Sequence, residues 1–183
     1  MHYQSLASVI FAGLLSSIVA AAPHGSPTIQ ARACATGYPS WISYIDSSTP
    51  TLSFPNSNLV SISLSSAAER DALVQFTGIP SGSYGCQFEA FFPAGFTVTN
   101  TGNAQVYVYS VDRQITATDT WNNAPNKVSQ VGTANFLPST SAPTKVVINS
   151  FVCAPSMSFR LRISQDSGSG SSSFTQANAN GGF

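Results

Sequence analysis

Apolar and polar residues alternate in short runs along most of the chain beyond residue 40. The most informative run covers residues 104–125, and in its first half Val106 and Val108 point to one face of an extended strand. Tyr107 and Tyr109 point to the other face. Because both faces are apolar, both must be covered in the folded protein. We expect a second sheet on one face and a loop or a ligand on the other.

The segment after this strand is a polar loop that ends in Thr120-Trp121-Asn122-Asn123-Ala124-Pro125. A tryptophan beside an apolar strand face is a natural cover for it, because its large ring buries more apolar area than most side chains. We therefore predict that Trp121 covers one face of the strand.

The same alternation, interrupted by Gly, Pro, Asn and Ser, predicts further short strands. They cover residues 41–46, 59–64, 72–76, 86–92, 96–99, 128–136, 145–153 and 157–164, and the segment 174–183 resembles the start of a last strand. Gly132 predicts a break or a bulge. The pattern predicts an all-β fold, an antiparallel, jelly-roll-like β-sandwich of about eight to ten strands.

The pattern also predicts where two charged stretches lie in this fold. Arg160 and Arg162 alternate with apolar residues and are predicted to lie on an open face, where they would discourage edge-to-edge pairing. Residues 65–70 are predicted to form a short polar or single-turn helical connection, and Glu69 and Asp71 are predicted to flank a turn.

The N-terminus carries an apolar run, residues 5–22, that ends in small residues before Pro23. This composition predicts a signal peptide over residues 1–22, since the run is too short for a membrane span. Residues 23–33 then form a short linker or a propeptide cut after Arg32, and residues 34–183 form a single domain. The sequence predicts a secreted protein, extracellular or in the cell wall, with no membrane span after the leader is removed.

Three cysteines lie in the predicted domain. In the oxidising compartment that a leader implies, two of them are expected to pair. Cys86 opens one apolar strand and Cys153 closes another, which makes them the best pair. Cys34 is left over, and its partner lies either in another chain or beyond Phe183.

Composition narrows the function. The formal net charge is zero, only 8% of residues are charged, and the seven Lys and Arg are scattered, which argues against a nucleic-acid-binding surface. Both histidines, His2 and His24, precede the predicted domain, which excludes Ser-His-Asp catalysis and imidazole metal sites there. We expect no enzyme activity, no cofactor and no metal.

The acidic residues could carry one of two other functions: a pair of carboxylates could act as a glycosidase, or several could bind calcium. The acidic residues are scattered over loops, turns and one strand without a dense Asp-x-Asp run, so capping and structural roles are expected instead. The candidates are Asp46, Glu69, Asp71, Glu89, Asp112 and Asp119.

The aromatic residues are the remaining candidates for a binding surface. Exposed rings stack on sugars and Asn side chains bond to sugar hydroxyls, although the same rings also fill the core of a sandwich. Tyr84, in a Gly-Ser-Tyr-Gly turn, is the ring most expected to be exposed. The candidate glycan contacts are Tyr84, Tyr107, Tyr109, Trp121, Asn122 and Asn123.

Four sequence blocks occur in one order: residues 44–50 (YIDSSTP), 73–76 (LVQF), 86–88 (CQF) and 120–125 (TWNNAP). In this order they resemble the But-two C-terminal domain family of fungal secreted proteins, and they are more distantly similar to the DNRLRE-type carbohydrate-binding sandwiches. The resemblance implies a β-sandwich with no known catalytic residues and no established ligand. Members commonly end on an aromatic residue and a final Cys, which implies that this chain is cut short at Phe183.

Two functions follow from these features. The leader, the lack of His, the aromatic and Asn content and the resemblance favour a secreted, non-catalytic β-sandwich associated with cell-wall polysaccharide or another extracellular glycan. The alternative is a secreted structural or protein-interaction module without a carbohydrate ligand, which would show an exposed apolar patch and no sugar-sized groove. The sequence favours no particular oligomeric state.

Overall fold

The computed structural model describes residues 35–183, and Thr36–Phe183 form one compact unit. The predicted signal peptide, the linker and Cys34 lie outside the described residues. Within the described part, no helix is long and apolar enough to cross a membrane.

Short strands dominate the described residues, as the alternating pattern predicts. The strands are β1 (Trp41–Asp46), β2 (Leu59–Leu64), β3 (Glu69–Thr77), β4 (Cys86–Phe92), β5 (Thr99–Gly102), β6 (Gln105–Val111), β7 (Lys127–Asn135), β8 (Thr144–Phe151), β9 (Ser156–Ile163) and β10 (Gly170–Thr175). Three 3-10 turns cover Trp121–Asn123, Gln165–Ser167 and Asn178–Asn180. The predicted all-β, antiparallel sandwich is confirmed.

Two sheets build the sandwich. The larger sheet has eight strands in the order β5-β10-β2-β3-β9-β6-β7, with β1 also paired to β3, and the smaller sheet contains β4 and β8. The link between β2 and β3 is short, since it comprises only the pairs Ser63–Arg70 and Leu64–Glu69. Beyond it, β9 pairs with β3 over Ala72–Thr77.

The pleat of each strand turns one face into a common core. Phe88 of β4 stacks on Phe159 of β9 with ring centroids 4.6 Å apart, which joins the smaller sheet to the larger one. The buried members of this core are Ile42, Val60, Ile62, Ala72, Val74, Phe88, Ala90, Phe92, Val106, Val108, Ala134, Phe136, Ile148, Phe159, Leu161, Ile163, Phe174 and Phe183.

A register shift near Gly132 bears out the predicted bulge in β7. Val108 of β6 lies opposite Gly132, whereas the next residue, Tyr109, lies opposite Gln130. One residue of β7 is therefore left over, which is the definition of a bulge.

The start of β3 lies three residues earlier than predicted. Glu69 and Asp71 belong to the strand itself, so the prediction that they flank a turn is wrong. The apolar run begins only at Ala72, and charged residues favour strands weakly. Hydrogen-bonded pairing with β1 and β2 extends the strand through these positions all the same.

The last strand also lies earlier than predicted. β10 covers Gly170–Thr175 and is paired on both edges, with β2 and with β5. Residues 176–183 leave the sheet, so the predicted strand over 174–183 is wrong beyond Thr175. Serine and glycine carry little apolar signal, but their small side chains permit backbone pairing on both edges.

Candidate functional site

The covering loop, residues 112–126, lies on the face of β3, β9 and β6 opposite the main core, here called the outer face. Ile115 from this loop is buried together with Ile45 and Leu73, and the Trp121 ring packs against the same small cluster, together with Trp41. Of the two covers that the sequence allows, a loop or a ligand, the structure has the loop.

The covering loop is fastened by its own acidic residues. Arg113 Nη1 donates to Asp119 Oδ1 over 2.9 Å, and Thr116 Oγ1 donates to the same atom over 2.7 Å. At the base of the loop, Asn126 donates from its backbone and its side chain to Asp112, and these bonds hold the pKa of Asp112 below its usual range. Both aspartates therefore serve loop structure.

The remaining carboxylate candidates lie in separate places. Asp46 Oδ1 accepts from Ser48 N over 2.9 Å and so caps the turn after β1, as predicted. Glu89 forms a surface ion pair with Lys145. Among the described residues, no group of three or more His, Cys, Asp or Glu side chains is placed to hold a metal ion.

Asn123 is turned into the covering loop. Its Oδ1 accepts from Thr120 N over 2.6 Å and from Thr120 Oγ1 over 2.9 Å, and its Nδ2 donates to Thr118 O over 3.2 Å. Asn122 is exposed, and its backbone N–H donates to Pro50 O over 3.1 Å. Of the two predicted amide contacts, only Asn122 lies free of such side-chain bonds within the loop.

The two predicted tyrosines lie side by side on the outer face. Tyr109 pairs in register with Arg160, and Tyr107 pairs with Arg162. The Tyr107 hydroxyl donates to Asp166, and the Lys127 ammonium lies 5.1 Å from the centre of the Tyr109 ring. Burial raises the pKa of Tyr109. Both rings are half-buried, so they form part of a packed layer.

A buried charge cluster of Glu69, Asp71, Arg160 and Arg162 lies on this face of the sheet. Arg160 Nε donates to Asp71 Oδ2 over 2.6 Å, and Arg162 forms an ion pair with Glu69. The Arg160 guanidinium also lies 5.2 Å from the centre of the Trp121 ring, at cation–π distance. The alternation in β9 is as predicted, but the prediction that its arginines lie on an open face is wrong, because both are almost fully buried.

Asp71 is the most strongly perturbed member of the cluster. Its side chain has no exposed surface, and this burial raises its pKa to about 6 against the opposing effect of Arg160. A perturbed carboxyl of this kind is often catalytic. Here it lies beneath a folded loop, where a substrate has no direct access, so the geometry indicates a structural ion pair.

Tyr84 lies in a different part of the fold, which we call the disulfide corner: Tyr84, Val152 and the Cys86–Cys153 disulfide. The predicted disulfide is present, with a Cα–Cα distance of 5.2 Å. Val152 is 93% exposed and Tyr84 is 71% exposed, the two highest values among the large apolar residues of the described chain. Sequence reasoning missed Val152, because it placed this residue inside a strand that ends at Phe151.

A shallow depression lies near the β5 edge of the larger sheet, where β2, β10 and β5 meet. Its volume is about 360 Å³, and Ser, Gly and Thr residues line it around a single apolar residue, Leu64. None of the predicted glycan contacts lines it.

The comparisons with known proteins agree with the resemblance noted above. The family model described as ubiquitin 3 binding protein But2 C-terminal domain matches residues 37–180. No curated protein matches the chain. The match spans almost all of the described sandwich, including the covering loop and the disulfide corner. The chain therefore belongs to the family of the ubiquitin 3 binding protein But2 C-terminal domain.

Proposed function

We propose that this domain is a non-catalytic module that binds a protein partner through the disulfide corner. The observation that carries the proposal is the exposure of Val152 and Tyr84, which lie next to Cys153 and two residues before Cys86 in segments that one covalent crosslink joins. Exposed apolar side chains that lie together mark interaction sites more often than scattered ones do. The crosslink also holds them in place, so that little conformational entropy is lost on binding.

The outer surface of the smaller sheet extends this corner. Phe91 and Val147 are exposed there, and Glu89 pairs in register with Val147 while Lys145 pairs with Phe91. Lys145 and Glu89 form an ion pair over 2.7 Å. An apolar pair beside a charged pair has the composition of a protein interface, in which apolar contacts provide affinity and charges orient the partner.

The structural roles of three acidic residues support a non-catalytic function. Asp71 is enclosed, and Asp112 and Asp119 fasten a loop. The domain also lacks histidine, since the two in the chain are His2 and His24. General acid–base catalysis needs a titratable group within hydrogen-bond reach of a substrate, and these residues do not offer one.

The family description names ubiquitin 3, and ubiquitin is therefore the first partner to test. The disulfide supports an oxidising compartment and hence secretion, so an extracellular protein partner is equally compatible with the proposal. A cell-wall or other extracellular glycan is the second candidate ligand. The observation in its favour is the high exposure of Tyr84, because exposed aromatic rings can stack on sugars.

A retention experiment separates these ligands. The full chain is applied to ubiquitin-coated beads and to insoluble chitin, β-glucan and cellulose. Val152→Ser and Tyr84→Ser alter the corner, and Val128→Ser is the matched control, since Val128 is exposed on β7 in the larger sheet. We expect retention on ubiquitin that both corner variants lose and the control keeps. Retention on a polysaccharide alone would contradict the proposal and favour the glycan ligand.

A further inference from the structure

We propose that the groove beside β4, which holds the chain's own tail, is a peptide-binding site for a segment with two consecutive glycines followed by an aromatic residue. We call it the tail groove, and residues 178–183 occupy it. The partner is a protein that supplies such a segment. In this one respect the inference rests on the proposed protein-binding function. It does not rest on the disulfide corner.

The first recognition element is the backbone edge of β4. Gly182 N donates to Phe91 O over 2.8 Å, and Phe91 N donates to Gly182 O over 2.7 Å. These reciprocal bonds form an isolated antiparallel bridge on a strand whose ladder partner is β8. Addition of an extended segment to a sheet edge is a common mode of peptide recognition.

The second element is an amide clamp. Gln176 Oε1 accepts from Phe183 N over 2.7 Å, and Gln176 Nε2 donates to Phe183 O over 2.7 Å. Gln176 is only 7% exposed, so its amide is committed to this site. Both bonds are made to backbone atoms of the occupant, as in a sheet, and so they do not require a particular side chain.

Selectivity for glycine comes from the walls of the groove. A Cβ atom on Gly181 would lie 2.4 Å from Phe96 Cε2, and one on Gly182 would lie 2.1 Å from Gln176 Oε1. Both glycines also adopt positive φ values, +129° and +116°, that other residues rarely adopt. Two adjacent positions therefore accept glycine alone.

Selectivity for an aromatic residue comes from the end of the groove. The Phe183 ring lies 5.1 Å from the ring of Phe88, 5.3 Å from Phe174 and 5.7 Å from Phe136, measured between centroids. The contacts are tilted or edge-to-face, the arrangements that aromatic rings prefer. An aliphatic side chain would lose these ring contacts.

The tail reaches the groove through a turn of its own beyond the end of β10. Ala177 N donates to Gly181 O and Gly181 N donates to Asn178 O, so the segment closes on itself. Asn178 has φ of 52°, the only positive φ outside glycine in the described residues. Because the bonds of this turn are separate from the pairing of β10 with β2 and β5, the segment can leave the groove without breaking the sheet and can admit a competing segment.

The test uses a fluorescent peptide with the sequence of residues 178–183 and the full chain. Gly182→Ala prevents the chain's own tail from seating, and Gly37→Ala is the control, because a Cβ there meets nothing within 4 Å. The native tail competes at the high effective concentration of a tethered ligand. We therefore expect anisotropy to show binding at least about tenfold tighter to the Gly182→Ala chain than to the parent or the control.

The outcomes are decisive in both directions. A peptide with Ala at the position of Gly182 should not bind the Gly182→Ala chain, and equal binding would overturn the proposal. A folded Gly182→Ala chain that binds no peptide would also overturn it. Phe183→Ser releases the tail by another route, and if both variants unfold, the tail is part of the core and the proposal is wrong. Because none of these chains alters Val152, the result is independent of the bead experiment.

Discussion

The two faces of β9 are both buried, but by different physical means. On the inner face Leu161 is enclosed by apolar residues, and on the outer face its neighbour Arg160 is enclosed by Asp71, Tyr109 and the Trp121 ring. The hydrophobic effect is non-directional and tolerates changes of shape. The contribution of a buried ion pair to stability depends on pH and on the presence of both charges, because the desolvation of each charge must be offset by the other. One strand thus offers adjacent residues for a direct comparison.

Removal of Arg160 is expected to have the largest effect. Arg160→Ala leaves Asp71 buried without its guanidinium, and the free energy of unfolding at pH 7 should fall by roughly 3–5 kcal/mol. Urea unfolding at pH 7 and pH 5 measures it. The loss should shrink at pH 5, where the Asp71 carboxyl is protonated; an equal loss at both pH values would show that the pair is not the cause.

Leu161→Ala should have a similar but slightly smaller effect at neutral pH. Removal of a fully buried leucine lowers the free energy of unfolding by about 3 kcal/mol, through lost transfer energy and the cavity that remains. The same urea series should give the same loss of free energy of unfolding at pH 7 and at pH 5, since no titratable group is involved. A loss that varied with pH as strongly as that of Arg160→Ala would undo the distinction between the faces.

Acidification of the parent protein should stabilise it between about pH 6 and pH 4. The pKa of Asp71 is about 6 in the folded state against an ordinary value of 3.8, so in this interval the folded chain binds a proton that the unfolded chain has released. The expected gain is on the order of 1–3 kcal/mol. Asp112, whose pKa is lowered by its bonds from Asn126, acts in the opposite direction only at lower pH.

The control for this pH dependence is Asp71→Asn, which removes the titrating group. Urea midpoints at intervals between pH 7 and pH 4 should rise in the parent and stay level in this variant. A parallel rise in both proteins would show that Asp71 is not the group responsible. Arg160, Arg162 and Glu69 interact with Asp71, so the rise reports on the whole cluster.

The smallest effect is expected at the exposed ion pair. The side chains of Lys145 and Glu89 are 53% and 34% exposed. Because of solvent screening, such a pair contributes only roughly 0–1 kcal/mol to the free energy of unfolding. Lys145→Met should therefore change the urea midpoint little at any pH. A loss as large as that of Arg160→Ala would show that burial is not what separates the two ion pairs.

Local patterns in the sequence specify the strands and their faces but not what covers each face. Val106 and Val108, and the alternation through Phe159 and Leu161, identify the inner face correctly. Arginine is rarely buried unless it is paired, so alternation alone assigned Arg160 to solvent. Its partner comes from β3 and its cover from the covering loop, and these are contacts between distant segments.

The candidate site was predictable only in part, for related reasons. Tyr84 was identified because a Gly-flanked turn exposes its central residue, and the disulfide followed from the positions of Cys86 and Cys153 at strand ends. Val152 lies one residue beyond the end of a strand, and strand ends are poorly specified by alternation. The position of Phe183 depends on three rings from separate segments of the chain, Phe88, Phe136 and Phe174, and no local sequence pattern reports such contacts.

The Cys86–Cys153 crosslink has a consequence for proteolysis. Every residue between the two cysteines, including Arg113 and Lys127 at the covering loop, lies inside one closed ring of chain. A single trypsin cut at either residue would leave two fragments that migrate together on a non-reducing gel and separate only after a thiol is added. In a cleaved molecule the segments that carry Tyr84 and Val152 would thus still be joined, through one sulfur–sulfur bond.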